Sequence, residues 1–427
     1  MTELNRRSFM KTAAAGTLGV AAIHSRASAQ SEPLKVGVIG CGWYGMVVMN
    51  AAFKVGGVEC VALCDVDSEH LDKSADEVQE KQGKRPNTFK DYRELLETPG
   101  LQAVFIATPP QWHALPFLAA LDKGLDIYCE KPLAYDIREG QMMVQAAQNS
   151  DRIVQIGFQR RSSQAIREAR DFIQAGNIGR VVQVDAQIHY TANLRDTTPQ
   201  KPPESLDWDF WCGPAPKLPY SPNIGHFAWR LEKAYGNGHL VDWGIHWVDA
   251  IRWILNEDMP KSVTADGGIY VLKDKITTPD TLTAHFEFAS GPVVWRHRLW
   301  GAKEVHPETQ NGMFFFGETA TVFVNDRRWV VYPNEKDAEP QVHEVRNDAA
   351  TEHMADFLQA VKSRQQPVCT PQDGFYSTAT VQLGMLAYES QNRVDWDLES
   401  KSIPNNDAAA NMLKREYRAP WQHPYQG

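Results

Sequence analysis

Hydrophobic residues in the first third of the chain fall into short, mainly apolar runs, each followed by a stretch of helical spacing. Residues 34–39, 57–64, 103–107, 125–129 and 152–157 read as buried strands. Residues 46–52, 68–81, 92–97, 111–121 and 137–148 read as the helices between them. Strands that alternate with helices in this way build a doubly wound parallel sheet. The pattern then changes. After helices at 163–175 and 238–255 and a strand at 180–188, strands follow one another at 262–271, 281–288, 293–299, 312–316, 320–324 and 328–330. Successive strands without intervening helices make an antiparallel sheet. Helices at 352–363 and 374–389 close the pattern, and a polar tail follows in which Tyr417, Trp421 and Tyr425 are expected to dock on the body. Residues 191–237 are rich in proline and aromatics and show no clear period. A stretch of that length inside a compact domain is usually functional, so it is read as a pocket wall. The fold class expected is α/β plus α+β: an N-terminal Rossmann-type parallel sheet, then an α+β domain with a large, mainly antiparallel sheet.

The first run ends in Gly40-x-Gly42-x-x-Gly45 and passes directly into a helix. The first glycine makes a tight turn, the second lets backbone approach a pyrophosphate, and the third allows close helix–strand packing. The free N–H groups at the helix start then face the phosphates. The second strand ends at Asp65, twenty residues past Gly45, the spacing at which an acid meets an adenosine ribose hydroxyl. Asp67 is also acidic and no Lys or Arg follows until Lys73, which favours NAD over NADP. Thr108-Pro109, His113 and Glu130-Lys131-Pro132 fall at later strand ends, where ligands of such sheets bind. A lysine at such an exit, with the backbone fixed by proline, can hold and polarise a hydroxyl oxygen. On the helix at 238–255, Asp242 and His246 stand one turn apart, so the carboxylate can orient the imidazole as a general base.

Composition narrows the remaining choices. The chain has 427 residues, enough for two domains, and at 43% hydrophobic and 23% charged it is globular. A net charge of −9 with no basic cluster gives no nucleic-acid footprint, and the body of the chain has no run of membrane-spanning length. The six cysteines show no C-x-x-C spacing, and no disulfide framework is expected. Eight of the thirteen tryptophans lie between Trp208 and Trp300, a density that suits the CH faces of a sugar or cyclic polyol. The N-terminus carries Asn5-Arg6-Arg7-Ser8-Phe9, a mild apolar run and Ala27-Ser28-Ala29, in the order of a twin-arginine (Tat) export signal. The domains expected are this signal at 1–29, a nucleotide domain at 34–157, a substrate and oligomerisation domain at 158–395, and the tail at 396–427.

The ordered set of the glycine motif, Asp65, Glu130-Lys131-Pro132, Gly157-Phe158-Gln159-Arg160-Arg161, Trp208 to Pro216 and Gly238-x-x-x-Asp242-x-Gly244-x-His246-x-x-Asp249 resembles the Gfo/Idh/MocA oxidoreductases. The resemblance spans essentially the whole chain after the signal. It implies Lys131, Asp242 and His246 as the catalytic group, with His246 taking the hydroxyl proton, Lys131 holding the oxygen and Asp242 binding or orienting substrate. Gly40, Gly42, Trp43, Tyr44, Gly45, Asp65, Thr108, Pro109, His113, Glu130, Lys131 and Gln159 are expected at the cofactor. Arg160, Trp211, Trp229, Asp242 and His246 are expected at the substrate. The family pattern gives His239, Asp242 and His246 work other than metal binding. It also implies a homodimer or homotetramer through the open face of the second sheet.

The function expected is an exported, NAD-dependent oxidoreductase of a sugar, glycoside or cyclitol. Little free NAD is found outside the cytoplasm, so either the nucleotide is held tightly through periplasmic export or an external acceptor reoxidises it. Only residues 30–33 separate signal and first strand, too few for the nucleotide-covering arm of glucose–fructose oxidoreductases. Two alternatives stand beside this. One is an NAD-dependent glycoside hydrolase using Tyr190, His226 or Tyr235 as an additional acid or base. The other is a non-catalytic sugar-binding protein.

Overall fold

The computed structural model describes residues 32–226, 228–301, 310–346 and 348–426. The export signal expected at 1–29 lies outside the described residues.

Six parallel strands form the first sheet: β1 (Leu34–Ile39), β2 (Val58–Cys64), β3 (Asn87–Phe89), β4 (Ala103–Ile106), β5 (Asp126–Glu130) and β6 (Val154–Gly157). Their order is β3-β2-β1-β4-β5-β6, all parallel. The order reverses between β1 and β4, which puts the ligand crevice at the carboxyl ends of those strands. Every residue of β4, β5 and β6 is buried, which is why these strands read as mainly apolar runs rather than alternating ones.

Nine strands form the second sheet: β7 (Val181–His189), β8 (Ser262–Gly268), β9 (Thr281–Glu287), β10 (Pro292–Arg298), β11 (Asn311–Gly317), β12 (Ala320–Val324), β13 (Arg328–Pro333), β14 (Gln341–Glu344) and β15 (Val394–Asp395). Their order is β14-β13-β12-β11-β7-β10-β9-β8-β15. The sheet is mixed, because β7 and β10 pair in parallel while the other neighbours run antiparallel. Strand β8 stops at Gly268, short of the expected 271. Burial alternates along β9, so one face is covered and the other is open. The helices Gln164–Gln174, Ile245–Leu255 and Pro371–Ser390 share one hydrophobic core with these strands.

The single helix expected over 238–255 is two structures. Leu240–Gly244 is a π-helical turn, and only Ile245–Leu255 is α-helical. The long segment 191–237 holds a short helix, Trp208–Cys212, and a 3-10 turn, Ala228–Leu231. It returns across the first sheet. Leu206 bridges Asp67, the Ser68 N–H donates to Ser205 (3.0 Å), the Asp207 N–H donates to Val66 (3.0 Å), and Lys90 pairs with Asp207 (2.5 Å). This strap therefore fastens the second half of the chain to the exit of β2. In the tail, Trp421 stacks on Phe210 and Tyr417 donates to Glu139. All six cysteines are buried and unpaired.

Candidate active site

The turn after β1 is as tight as glycine permits. Gly40 has φ +82°, and a Cβ on Gly45 would lie 2.0 Å from the Gly40 carbonyl oxygen. The helix Trp43–Val55 begins at Gly42 with no side-chain cap, so its first N–H groups keep their donor capacity for a ligand. Across the turn, Thr108 packs its backbone against Gly40, and its buried Oγ1 has no hydrogen-bond partner. An uncapped helix start, a cradle that a Cβ would fill and an orphaned hydroxyl at one sheet edge fit a dinucleotide. Asp65 sits at the end of β2 with Oδ1 taken by the Asp67 N–H (3.0 Å), and burial raises its carboxyl above the usual carboxylate range.

The remaining expected cofactor residues divide. Trp43, the first residue of the helix Trp43–Val55, is 75% exposed and edge-on to Tyr44. Burial, then the Glu130 carboxylate, raises the Tyr44 phenol. Glu130 is buried, its Oε1 accepts from Gln159 Nε2 (2.7 Å), and burial pushes its carboxyl up to about 8. Gln159 also donates to Tyr128 (3.0 Å). His113 corrects the expectation of a cofactor contact. Its ring is buried, with Nδ1 2.7 Å from the Pro132 carbonyl and Nε2 2.8 Å from the Thr108 carbonyl. Both nitrogens face strand-exit carbonyls, and burial lowers the ring's basicity, so the neutral imidazole donates to one of the two at a time.

Lys131 leaves β5 toward the π-helical turn. Its Nζ donates to Asp242 Oδ1 (2.9 Å) and to the Asp242 main-chain carbonyl (2.6 Å). The other carboxylate oxygen, Oδ2, meets Arg230 Nε at 3.2 Å. Burial alone would raise the Asp242 carboxyl, but Lys131 first and Arg230 second hold it below the usual range. Asp242 is thus committed to two cations and is not the orienting partner of His246 that a plain α-helix suggests. His246 is buried, and its Nδ1 has no hydrogen-bond partner. Burial, then the charges of Arg160 and Lys131, push the imidazole well below its ordinary value, so it is neutral at physiological pH.

Arg160 is held in a bidentate pair with Asp326 (2.8 and 2.8 Å), its guanidinium over the rings of Trp243 and Trp247. Trp229 flanks the centre through Arg230, whose guanidinium lies 4.3 Å over its ring. Trp211 is a correction. It is buried, stacked on Trp208 (4.6 Å) and edge-on to Tyr235, in a core beneath the strap. Tyr235 is fully buried in the same core, with its hydroxyl on the Pro216 carbonyl, and His226 pairs with Asp67. Tyr190 alone of the three extra acid–base candidates borders the centre. It packs on His239 (5.0 Å), and burial and then the Asp242 carboxylate push its phenol up to about 12. Arg230 was not anticipated: it lies in the aperiodic segment, and nothing in its local pattern marks it.

Residues 34–158 match the NAD-binding Rossmann fold of an oxidoreductase family, and residues 177–423 match that family's C-terminal alpha/beta domain. The chain belongs to the Gfo/Idh/MocA oxidoreductase family. Its nucleotide is accordingly NAD. Among curated Gfo/Idh/MocA relatives, an inositol 2-dehydrogenase of Salmonella paratyphi B is 29% identical over 53% of this chain and 55% of its own length. The alignment therefore spans about half of that relative. A myo-inositol 2-dehydrogenase of Thermotoga maritima is 25% identical over 80% of this chain and 92% of its own. Among solved structures, a levoglucosan dehydrogenase in complex with NADH and levoglucosan superposes with a TM-score of 0.68 at 18% identity, covering 85% of this chain and 99% of that one. That likeness is one of fold.

Proposed function

We propose that the chain is an NAD-dependent oxidoreductase acting on a secondary hydroxyl or ketone of a sugar, glycoside or cyclitol. One observation carries the reading. A lysine at a parallel-strand exit, locked to a buried aspartate, lies within electrostatic reach of a neutral histidine with an unspent ring nitrogen. Bound NAD supplies the two-electron acceptor for the alcohol carbon. Gly40, Gly42, Gly45 and the uncapped helix start would hold its pyrophosphate, Asp65 its adenosine ribose, and the Thr108 hydroxyl would serve the same crevice. The protein's own groups do the proton work. His246 accepts the hydroxyl proton, which its depressed basicity permits at neutral pH. Lys131 keeps a positive charge against the oxygen as that proton leaves. Asp242 fixes the lysine through two acceptor atoms. Trp229 and Trp243 offer apolar faces to the CH groups of a ring substrate. Inositol and levoglucosan dehydrogenases among the relatives and neighbours support a cyclic polyol.

We also propose that the protein is exported folded by the Tat machinery to the periplasm and carries its NAD with it. The ordered twin-arginine, apolar and Ala27-Ser28-Ala29 segments support this, as does a strap fastened across the exit of β2. A homodimer or homotetramer would use the open face of the nine-stranded sheet.

The test is to follow reduced nicotinamide with the mature protein, NAD and a panel of inositols, anhydrosugars and hexoses, and to identify the nucleotide released on denaturation. Turnover of one polyol, with co-purified NAD, is the expected result. Release of an aglycone from a glycoside with no net reduction would replace the dehydrogenase by a glycosidase.

A further inference from the structure

Outside the catalytic centre, two chain segments remote in sequence bring a carboxylate and two imidazoles together. Asp67 and His70 lie at the start of the helix Ser68–Gln82, and His226 lies on the strap. One ligand atom from each falls within 4.8 Å of the others. Asp67 is buried, and its two oxygens are divided. Oδ1 caps the helix by accepting from the Glu69 N–H (3.0 Å), which leaves Oδ2 for His226 Nε2 at 2.8 Å. The His70 ring stands 4.3 Å from that of His226. One histidine is enough to pin the strap to Asp67. The second imidazole makes no hydrogen bond within the described residues, and it needs another reason to be there.

We infer that Asp67, His70 and His226 bind a zinc ion that latches the strap to the exit of β2. Two imidazoles and one carboxylate suit a borderline-soft divalent cation and would serve Mg²⁺ or Ca²⁺ poorly. Three protein ligands leave a fourth position for water, and the His226 side chain is a third exposed. Ligands about 2.0–2.1 Å from zinc in a tetrahedron stand roughly 3.3 Å apart. The 2.8 Å contact between Asp67 and His226 therefore opens by about half an ångström when the ion enters, within the reach of a rotamer adjustment. The helix cap through Oδ1 is undisturbed. The site adjoins the nucleotide loop, since a Cβ on Gly42 would lie 3.4 Å from His70 Nδ1 and 4.0 Å from Asp65 Oδ2. An ion here fixes the wall of the crevice beside the proposed ribose position without touching Lys131, Asp242 or His246.

The test uses the untagged full chain, stripped with chelator and titrated with ZnCl2 and with CoCl2. One saturable equivalent is expected, with visible bands of four-coordinate cobalt and a zinc-dependent rise in Tm. H70Q and H226Q should each weaken binding at least about tenfold and abolish the Tm rise, while H285Q, on β9, should change neither. Zinc should also slow tryptic cleavage within 191–237 in the wild type and not in H226Q. Absence of saturable binding, binding unchanged in both glutamine variants, or binding without protection of the strap would each overturn the inference. None of these readouts depends on turnover, so the latch and the dehydrogenase stand or fall separately.

Discussion

Lys131 reaches Asp242 twice, through the carboxylate at 2.9 Å and the main-chain carbonyl at 2.6 Å. The second bond is to a carbonyl in the π-helical turn Leu240–Gly244. Turns of that kind leave i→i+4 carbonyls without their usual N–H partner and recur at functional sites. The lysine is therefore placed by backbone as well as by charge.

With the ammonium so placed, Lys131→Met should lower kcat about 10²- to 10⁴-fold and leave NAD affinity within a few-fold. His246→Gln should do the same. If both act on one oxygen, the double variant falls little below either single one. Steady-state kinetics with nucleotide titration by fluorescence checks this. A K131M enzyme with unchanged turnover would remove Lys131 from the chemistry.

Asp242→Asn leaves Lys131 and Arg230 facing each other without the shared negative charge. The Lys131 and Asp242 side chains are only 14% and 8% exposed. Breaking such a pair should cost about 3 kcal/mol. The folded Asp242 carboxyl lies below its unfolded value. Its contribution is therefore fully present above the unfolded pKa of about 3.9 and is lost as pH falls through the lower folded one. Urea unfolding of both proteins should give the same difference at about pH 6 and pH 8, and a shrinking one only in strong acid.

Two other buried rings set a different acid limit. The Trp295 indole N–H donates to His297 Nδ1 (3.0 Å), and an indole can only donate, so that nitrogen carries no proton. Burial pushes His297 to about 4 and His353 to about 4. Between there and the ordinary value of about 6.5 the unfolded chain binds more protons than the folded one, so stability falls as pH drops through that window. The loss approaches about 3 kcal/mol per ring. Denaturation midpoints that stay flat from about pH 7 to pH 4.5 would contradict the neutral buried assignment.

Gly45→Ala forces a methyl carbon to 2.0 Å from the Gly40 carbonyl, and backbone must move to relieve it. The expected result is at least about a tenfold loss of NAD affinity, because the helix start no longer meets the turn at the phosphate position. Binding isotherms for NAD, read beside Tm, distinguish this from global unfolding.

Five of the six strands of the parallel sheet were legible because they are largely buried and the first turn carries three glycines with geometric work to do, whereas β3 escaped because two of its three residues are exposed. The change to successive strands was legible from alternation, although the parallel contact between β7 and β10 was not, since pairing direction leaves no period in the sequence. Strand β14 escaped because three of its four residues are exposed, and β15 because it has only two residues. The helix over 238–255 carried the right residues at the wrong pitch. An extra residue per turn around Asp242 is invisible in a hydrophobic pattern that is apolar on most sides. Arg230 and the Asp67–His70–His226 group were hidden for another reason. Both depend on where an aperiodic segment returns in space, and no local rule encodes that. Trp211 and His113 show the converse: residue types that suit a site were used to hold its walls.

His226 and Arg230 are four residues apart on one strap, the first on Asp67 beside the proposed ribose position, the second on Asp242 at the proposed reaction centre. Under the proposed function, lifting the strap far enough to free the adenosine end also withdraws the guanidinium from Asp242. Nucleotide exchange and a competent substrate pocket then exclude each other in time. An enzyme built this way follows a compulsory order in which the dinucleotide is first to arrive and last to leave.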